Sequence, residues 1–214
     1  MRNTHHHKTA DSRVANINSE LEFDTLILGI GNVLWADEGF GVRAVEALHA
    51  EYRVPPGVRL MDGGTQGMFL LPYVCQVQRL LIFDAIDFGL EPGALRVIRD
   101  ENVPRYLGAK KISMHQTGFQ EVLASADLIG DCPKQLALIG VQPVVLDDYG
   151  GSLRPPVKAQ IPAALRAALS ILAEWERAAQ QRKTPLAEFE RLNPPELGIT
   201  PYEDGRPQLK GSRL

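Results

Sequence analysis

The chain has 214 residues, enough for one domain with length to spare, and its 44% hydrophobic and 23% charged content excludes wholesale disorder. A net charge of -3 supplies no basic face for nucleic acid. The two cysteines, Cys75 and Cys132, lie outside any Cys-x-x-Cys, which excludes a disulfide framework and a cysteine-built structural zinc site and points to a reducing compartment. Residues 1–22 read as a flexible N-terminal tail without the apolar core of a signal peptide. His5, His6 and His7 fall in that tail, which offers a metal no fixed coordination geometry. No apolar run approaches the span of a bilayer, so a soluble, cytoplasmic protein without membrane insertion is expected.

Apolar runs bounded by turn residues predict strands at 24–30 (DTLILGI), 58–61 (VRLM), 79–86 (RLLIFDAI), 94–99 (ALRVIR) and 136–141 (LALIGV). Between them the 3.6-residue period predicts helices. One starts near Gly39, with Gly41, Val45, Leu48 and Tyr52 on a common face, and a second covers 68–74. A third carries Phe119, Val122, Leu123 and Ala126. A fourth carries Leu165, Leu169 and Leu172 and runs to about Arg182. This alternation predicts an α/β fold: a single three-layer domain, residues 23–182, with a mainly parallel twisted sheet of about five strands flanked by helices on both faces. Prolines recur through 183–214, which reads as an irregular or disordered tail.

In an open α/β sheet, chemistry collects where strands end. Three strand ends here carry carboxylates: Asp37 and Glu38 after the first, Asp62 in 62–65 (DGGT), and Asp84 and Asp87 after the central strand. A further loop, 110–116 (KKISMHQ), adds His115. Each also has a plain reading. Asp37 and Glu38 suit the first turn of a helix through its dipole, Asp62 suits a turn before two glycines, and His115 suits a polar helix start. Asp84 is different, because a carboxylate ending the most hydrophobic strand is partly buried and needs a compensating partner. Two carboxylates and an imidazole form a donor set for a divalent transition metal with positions left open. Gly29 and Gly31 do not make a dinucleotide fingerprint, since the third glycine is replaced by Leu34 and the helix start is acidic. Nucleophile-elbow and zinc-protease helix motifs are missing, Cys75 reads as core, and Cys132 reads as a loop residue.

The segments LILGIGNVLWADEGFGVRAVEAL, MDGGTQGM, LLIFDAIDFGLEPGALRV, KKISMHQTGFQEVL, LALIGVQP and LDDYGGSL together closely resemble the nickel-iron hydrogenase maturation endopeptidases, in particular the uptake-hydrogenase branch. The resemblance spans about residues 25–175. It implies an endopeptidase that removes a C-terminal extension from the hydrogenase large-subunit precursor after nickel insertion. By motif it implies that Glu38, Asp84 and His115 are nickel ligands. It leaves Asp62 and Asp84 as the candidate catalytic carboxylates. Such an oxygen and nitrogen donor set cannot strip nickel from thiolates but can complete the coordination of nickel already held by the substrate. Nickel is therefore expected on the nickel-loaded precursor, with a surrogate divalent metal able to occupy the site in isolation. The alternative is a metal-dependent chaperone that holds the large subunit without cutting it, which the mass of the precursor after incubation distinguishes. A small-molecule hydrolase or phosphorylase on a similar scaffold would need a phosphate-cradling loop, and the acidic loops oppose one. The sequence leaves the oligomeric state open.

Overall fold

The computed structural model of the chain describes residues 23–104 and 114–205, with side chains from 118 onward in the second stretch. The expected N-terminal tail with its three histidines, positions 105–113 and 206–214, and the His115 side chain lie outside the described residues.

Among the described residues the strands are β1 (Thr25–Ile30), β2 (Tyr52–Arg53), β3 (Val58–Gly64), β4 (Arg79–Ala85), β5 (Leu95–Arg99), β6 (Gln135–Val141) and β7 (Gln180–Gln181). The helices are α1 (Phe40–Glu51), α2 (Leu71–Cys75), α3 (Met114–Ile129), α4 (Pro155–Lys158), α5 (Ile161–Glu174) and α6 (Ile199–Asp204). Five strands form one sheet in the order β3-β1-β4-β6-β5. All neighbours run parallel except β5, which pairs antiparallel with β6.

Alternation along the strands divides the core in two. Leu26, Leu28 and Ile30 of β1 and Leu80 and Ile82 of β4 pack with Val74 of α2 and with Phe119, Val122 and Leu123 of α3. Ile27, Leu81 and Phe83 face the other way, onto Phe40, Val45 and Leu48 of α1 and Leu165 and Leu172 of α5. The central strands are apolar on both faces because both faces are covered. Among the described residues no helix is long and apolar enough to cross a membrane.

The observed elements depart from the predicted ones at three places. Strand β3 continues through Asp62 and Gly63 to Gly64: Asp62 pairs with Gly29, the register then shifts past Gly63, and Gly64 pairs with Ile30. Tyr52 leaves the helix to start β2. The last long helix stops at Glu174, eight residues before Arg182. Trp175 closes its buried stripe, Glu176 takes a left-handed φ of 59°, and Arg177 turns to the Asp24 carboxylate. Residues 180–181 then pair antiparallel with β2. The sequence there, WERAAQQR, suits a helix, but tertiary pairing overrides propensity.

From 183 to 205 the chain contains two short 3-10 helices, Glu188–Glu190 and Pro195–Leu197, and then α6. The segment lies back across α1. His49 bonds the Glu190 carbonyl at 2.7 Å, Asn193 reaches Glu46, and Arg43 donates to the Leu197 carbonyl.

Candidate active site

The strand order reverses direction at β1: β3 lies on one side of it and β4 on the other. The crevice outside the carboxyl ends of β1 and β4 is thus the topological switch point where α/β sheets bind ligands. Two of the candidate carboxylates, Glu38 and Asp84, lie at it.

Glu38 stands in a 3-10 helix, Ala36–Gly39, that follows β1 and packs against β4. Gly31 makes this fold-back possible. Its φ of 131° is open to glycine alone, and an added Cβ would strike the Glu38 carbonyl. Just beyond, α1 starts almost in contact with the sheet: a Cβ on Gly41 would lie 2.2 Å from the carbonyl oxygens of Ile30 and Phe83. Burial pushes the half-buried Glu38 carboxyl up to about 7. A cation delivered to it would favour the ionised form again.

Asp84 is the penultimate residue of β4, only 3% exposed, and its Oδ1 accepts the Ala85 N–H at 2.8 Å. It shares a sheet face with Leu80 and Ile82, the face covered by α2 and α3. His115 is in the first turn of α3, which packs against the Gly67–Leu70 turn after β3 and against α2. Asp84 and the helix bearing His115 therefore belong to the same layer, and the helix bearing Glu38 closes over the same strand end.

Asp62 stands apart. It is level with Gly29, as is Phe83 on the other side of β1, so the Asp62 and Phe83 backbones are two strand spacings apart, about 10 Å. Its side chain points with that of Leu60 to the α1 face, opposite to Asp84. There it accepts a hydrogen bond from Asn193 Nδ2 at 2.7 Å. Burial raises the Asp62 pKa, and the Asn193 donor works against that rise. A groove of about 510 Å³ opens beside it, lined among others by Arg59, Met61, Gln66, Leu192 and Asn193.

Two neighbouring aspartates are structural. Asp37 is fully buried, its Oδ2 accepting the N–H groups of Val144 (2.8 Å) and Val145 (3.1 Å) and its Oδ1 that of Arg154 (2.7 Å). It ties the first loop to 144–154, where Trp35 and Tyr149 meet edge to face at 5.3 Å. Asp87 accepts from Gln142 Nε2 at 3.0 Å and from the Gly89 N–H at 2.8 Å. Gln142 Oε1 in turn accepts the N–H groups of Phe88 and Leu90, fixing the loop that follows Asp84. Sequence reasoning missed Gln142 and Asn193. Nothing local marks a glutamine after an apolar strand or an asparagine among prolines.

Among the described residues no group of three or more His, Cys, Asp and Glu side chains is placed to hold a metal ion. Cys75 and Cys132 are half-buried against the α2–α3 core, and burial raises both thiols. That disfavours the thiolate a nucleophile needs.

The family profile of hydrogenase maturation proteases matches residues 42–171. The chain belongs to the hydrogenase maturation protease family. It is 57% identical over 178 residues to the hydrogenase expression/formation protein HupD of Bradyrhizobium diazoefficiens, covering 83% of this chain and 93% of the relative. It is 58% identical over 182 residues to HoxM of Azotobacter vinelandii, covering 85% and 86%. The hydrogenase 2 maturation protease of Escherichia coli is 45% identical over 150 residues, covering 70% and 90%. Among solved structures, the E. coli hydrogenase maturating endopeptidase HybD superposes with a TM-score of 0.71 at 42% identity, over 75% of this chain and 98% of that one. The maturation protease is thus a hydrolase on the three-layer α/β fold of that endopeptidase.

Proposed function

We propose that this protease removes the C-terminal extension of a nickel-iron hydrogenase large-subunit precursor after nickel insertion, and that it reads the substrate's nickel through Glu38, Asp84 and His115. The observation that carries the reading is the convergence of the Glu38-bearing 3-10 helix with the end of β4, where Asp84 lies buried at the switch point. Two carboxylates and an imidazole suit a borderline divalent metal and leave coordination positions to the substrate's own ligands. The raised Glu38 carboxyl supports the fit, since an arriving cation relieves the cost of holding that charge in a desolvated place. Nickel here is part of the substrate. Its presence tells the enzyme that the precursor is loaded, and its charge favours attack on a nearby scissile carbonyl.

Asp62, at the head of the groove beside β3, is the further carboxylate we assign to cleavage. It faces α1, so it serves the peptide instead of the nickel trio. The reading is tested by offering purified precursor with and without nickel and weighing the products. Release of the extension from the loaded precursor alone is expected. Equal cleavage of both forms removes nickel recognition, and an unchanged precursor mass removes the protease assignment. Glu38→Gln, Asp84→Asn and His115→Ala should each abolish release while the enzyme stays folded.

A further inference from the structure

The segment 183–205 is a strap with anchors on both sides of the sheet's active edge. It leaves β7 with the Arg182 N–H bonded to the Glu51 carbonyl and Arg182 Nε to that of His49. It then runs along α1. Asn193 Nδ2 donates to Glu46 Oε1 at 2.8 Å and to Asp62 Oδ2 at 2.7 Å. Arg43, 4% exposed, pairs with Glu46 at 2.9 Å, donates to the Leu197 carbonyl and lies 5.7 Å from the centre of the Tyr202 ring. At the far end Glu203 accepts from Ser152 Oγ at 2.7 Å, on the loop that Asp37 organises, and from Lys158 of α4 at 2.8 Å.

Beneath the strap lies a cavity of about 400 Å³, bordered by Ala47, Ala50, Ile161, Leu186, Leu192 and Ile199. The strap is therefore held by these polar anchors together with Leu192 and Ile199, which pack against the core between α1 and α5, and the cavity remains open between them. One of these anchors ends on a carboxylate beside the groove, which links the strap to the chemistry.

We propose that the strap is a working part of the site and that Asn193 is a positioning residue, fixing the Asp62 carboxylate at the head of the groove in an orientation competent for cleavage. The proposal rests on the assignment of Asp62 to cleavage. Rotation about χ2 lets a carboxylate take several orientations; the Gly64 backbone and the Asn193 amide both hydrogen-bond to Asp62, and the Asn193 bond is the one that fixes Oδ2 toward the strap. The same bond favours the ionised form. The charged groups facing Asp62 are Glu46 and Arg43 from α1, and Arg59 lines the same groove. Among the strap's contacts, the Asn193 amide is the donor that meets the carboxylate. Leu192 and Asn193 also form one wall of the groove, so the strap and the peptide site share a boundary.

The test compares Asn193→Ala, Asn193→Ser, Asp62→Asn and the double variant Asp62→Asn/Asn193→Ala in the full-length enzyme on nickel-loaded precursor. Rates are measured across pH and melting temperatures alongside. Loss of a hydrogen bond to a charged group predicts a fall of between about ten- and a hundredfold for Asn193→Ala, with melting nearly unchanged. The acid limb of its pH profile should move upward, because the carboxylate has lost the donor that favoured ionisation. Asn193→Ser, which keeps a short donor, should recover part of the rate. In the Asp62→Asn background, Asn193→Ala should add nothing. A wild-type rate and pH profile for Asn193→Ala beside an inactive Asp62→Asn overturns the positioning role. So does a rate loss with a lowered melting temperature and an unmoved pH profile, or an undiminished effect in the Asp62→Asn background. A wild-type rate for Asp62→Asn instead overturns the assignment of Asp62 itself, whatever Asn193 does.

Discussion

A Cβ placed on Gly31 would lie 1.8 Å from the carbonyl oxygen of Glu38. The two residues are seven apart in sequence, and their contact is what turns the chain back over the end of β1. Glu38 reaches the switch point only because residue 31 has no side chain. Gly31→Ala should therefore behave as a Glu38 variant. Displacing a site group by about 1 Å costs on the order of a hundredfold in rate, and processing should fall at least that far. Measured binding of the precursor to a folded Gly31→Ala enzyme, with cleavage unaffected, would contradict the placement.

Asp37 and Glu38 are adjacent and should respond in opposite ways. Asp37→Ala strands three backbone N–H groups, a loss of about 3 kcal/mol, or a melting temperature lower by on the order of 10 °C. Glu38→Gln should melt like the wild type and release no extension. Calorimetry paired with a processing assay separates the structural carboxylate from the functional one.

Gly41→Ala should destabilise, although alanine favours a helix by roughly 1 kcal/mol over glycine. The new methyl would meet the carbonyl oxygens of Ile30 and Phe83 at 2.2 Å, so α1 must lift from the sheet. Overpacking of this kind costs typically 1–3 kcal/mol. A higher denaturation midpoint for the variant would show that the helix start has room.

Stability should depend on Asp24 in an acid-sensitive manner. Its carboxylate pairs with Arg177 and with Arg79, and the Arg177 bond holds it below the usual carboxylate value of 3.8. The contribution is therefore complete above that value and is lost as the pH falls through the lower, folded one. For a partly exposed cluster roughly 1 kcal/mol is at stake, about 2–4 °C in a domain of this size. Asp24→Asn should show that deficit at pH 7 and a smaller one at acid pH. An equal deficit at both would mean that the ion pairs contribute nothing.

The α/β class, the five sheet strands and the buried faces of α1 and α3 were all legible in the sequence, because all three rest on local periodicity. Leu26, Leu28 and Ile30 had to point one way and Ile27 the other, and Phe119, Val122, Leu123 and Ala126 had to share a helix face. Asp84 stood out for the same reason: a carboxylate that closes an apolar strand is conspicuous in one dimension. The tertiary structure decided what periodicity cannot carry. It separated Asp37, saturated by three backbone donors 107 to 117 residues away, from its neighbour Glu38. It put Asp62 and Asp84 on opposite faces, which follows from register across β1 and not from either strand alone. It ended α5 at Glu174 in favour of an ion pair to Asp24 and a two-residue ladder to β2. It also brought Asn193, from a proline-rich segment without periodic signal, to within hydrogen-bond distance of a carboxylate 131 residues earlier. Local patterns set which residues are buried. Long-range hydrogen bonds and strand order, invisible to any short window, set which carboxylates share a site.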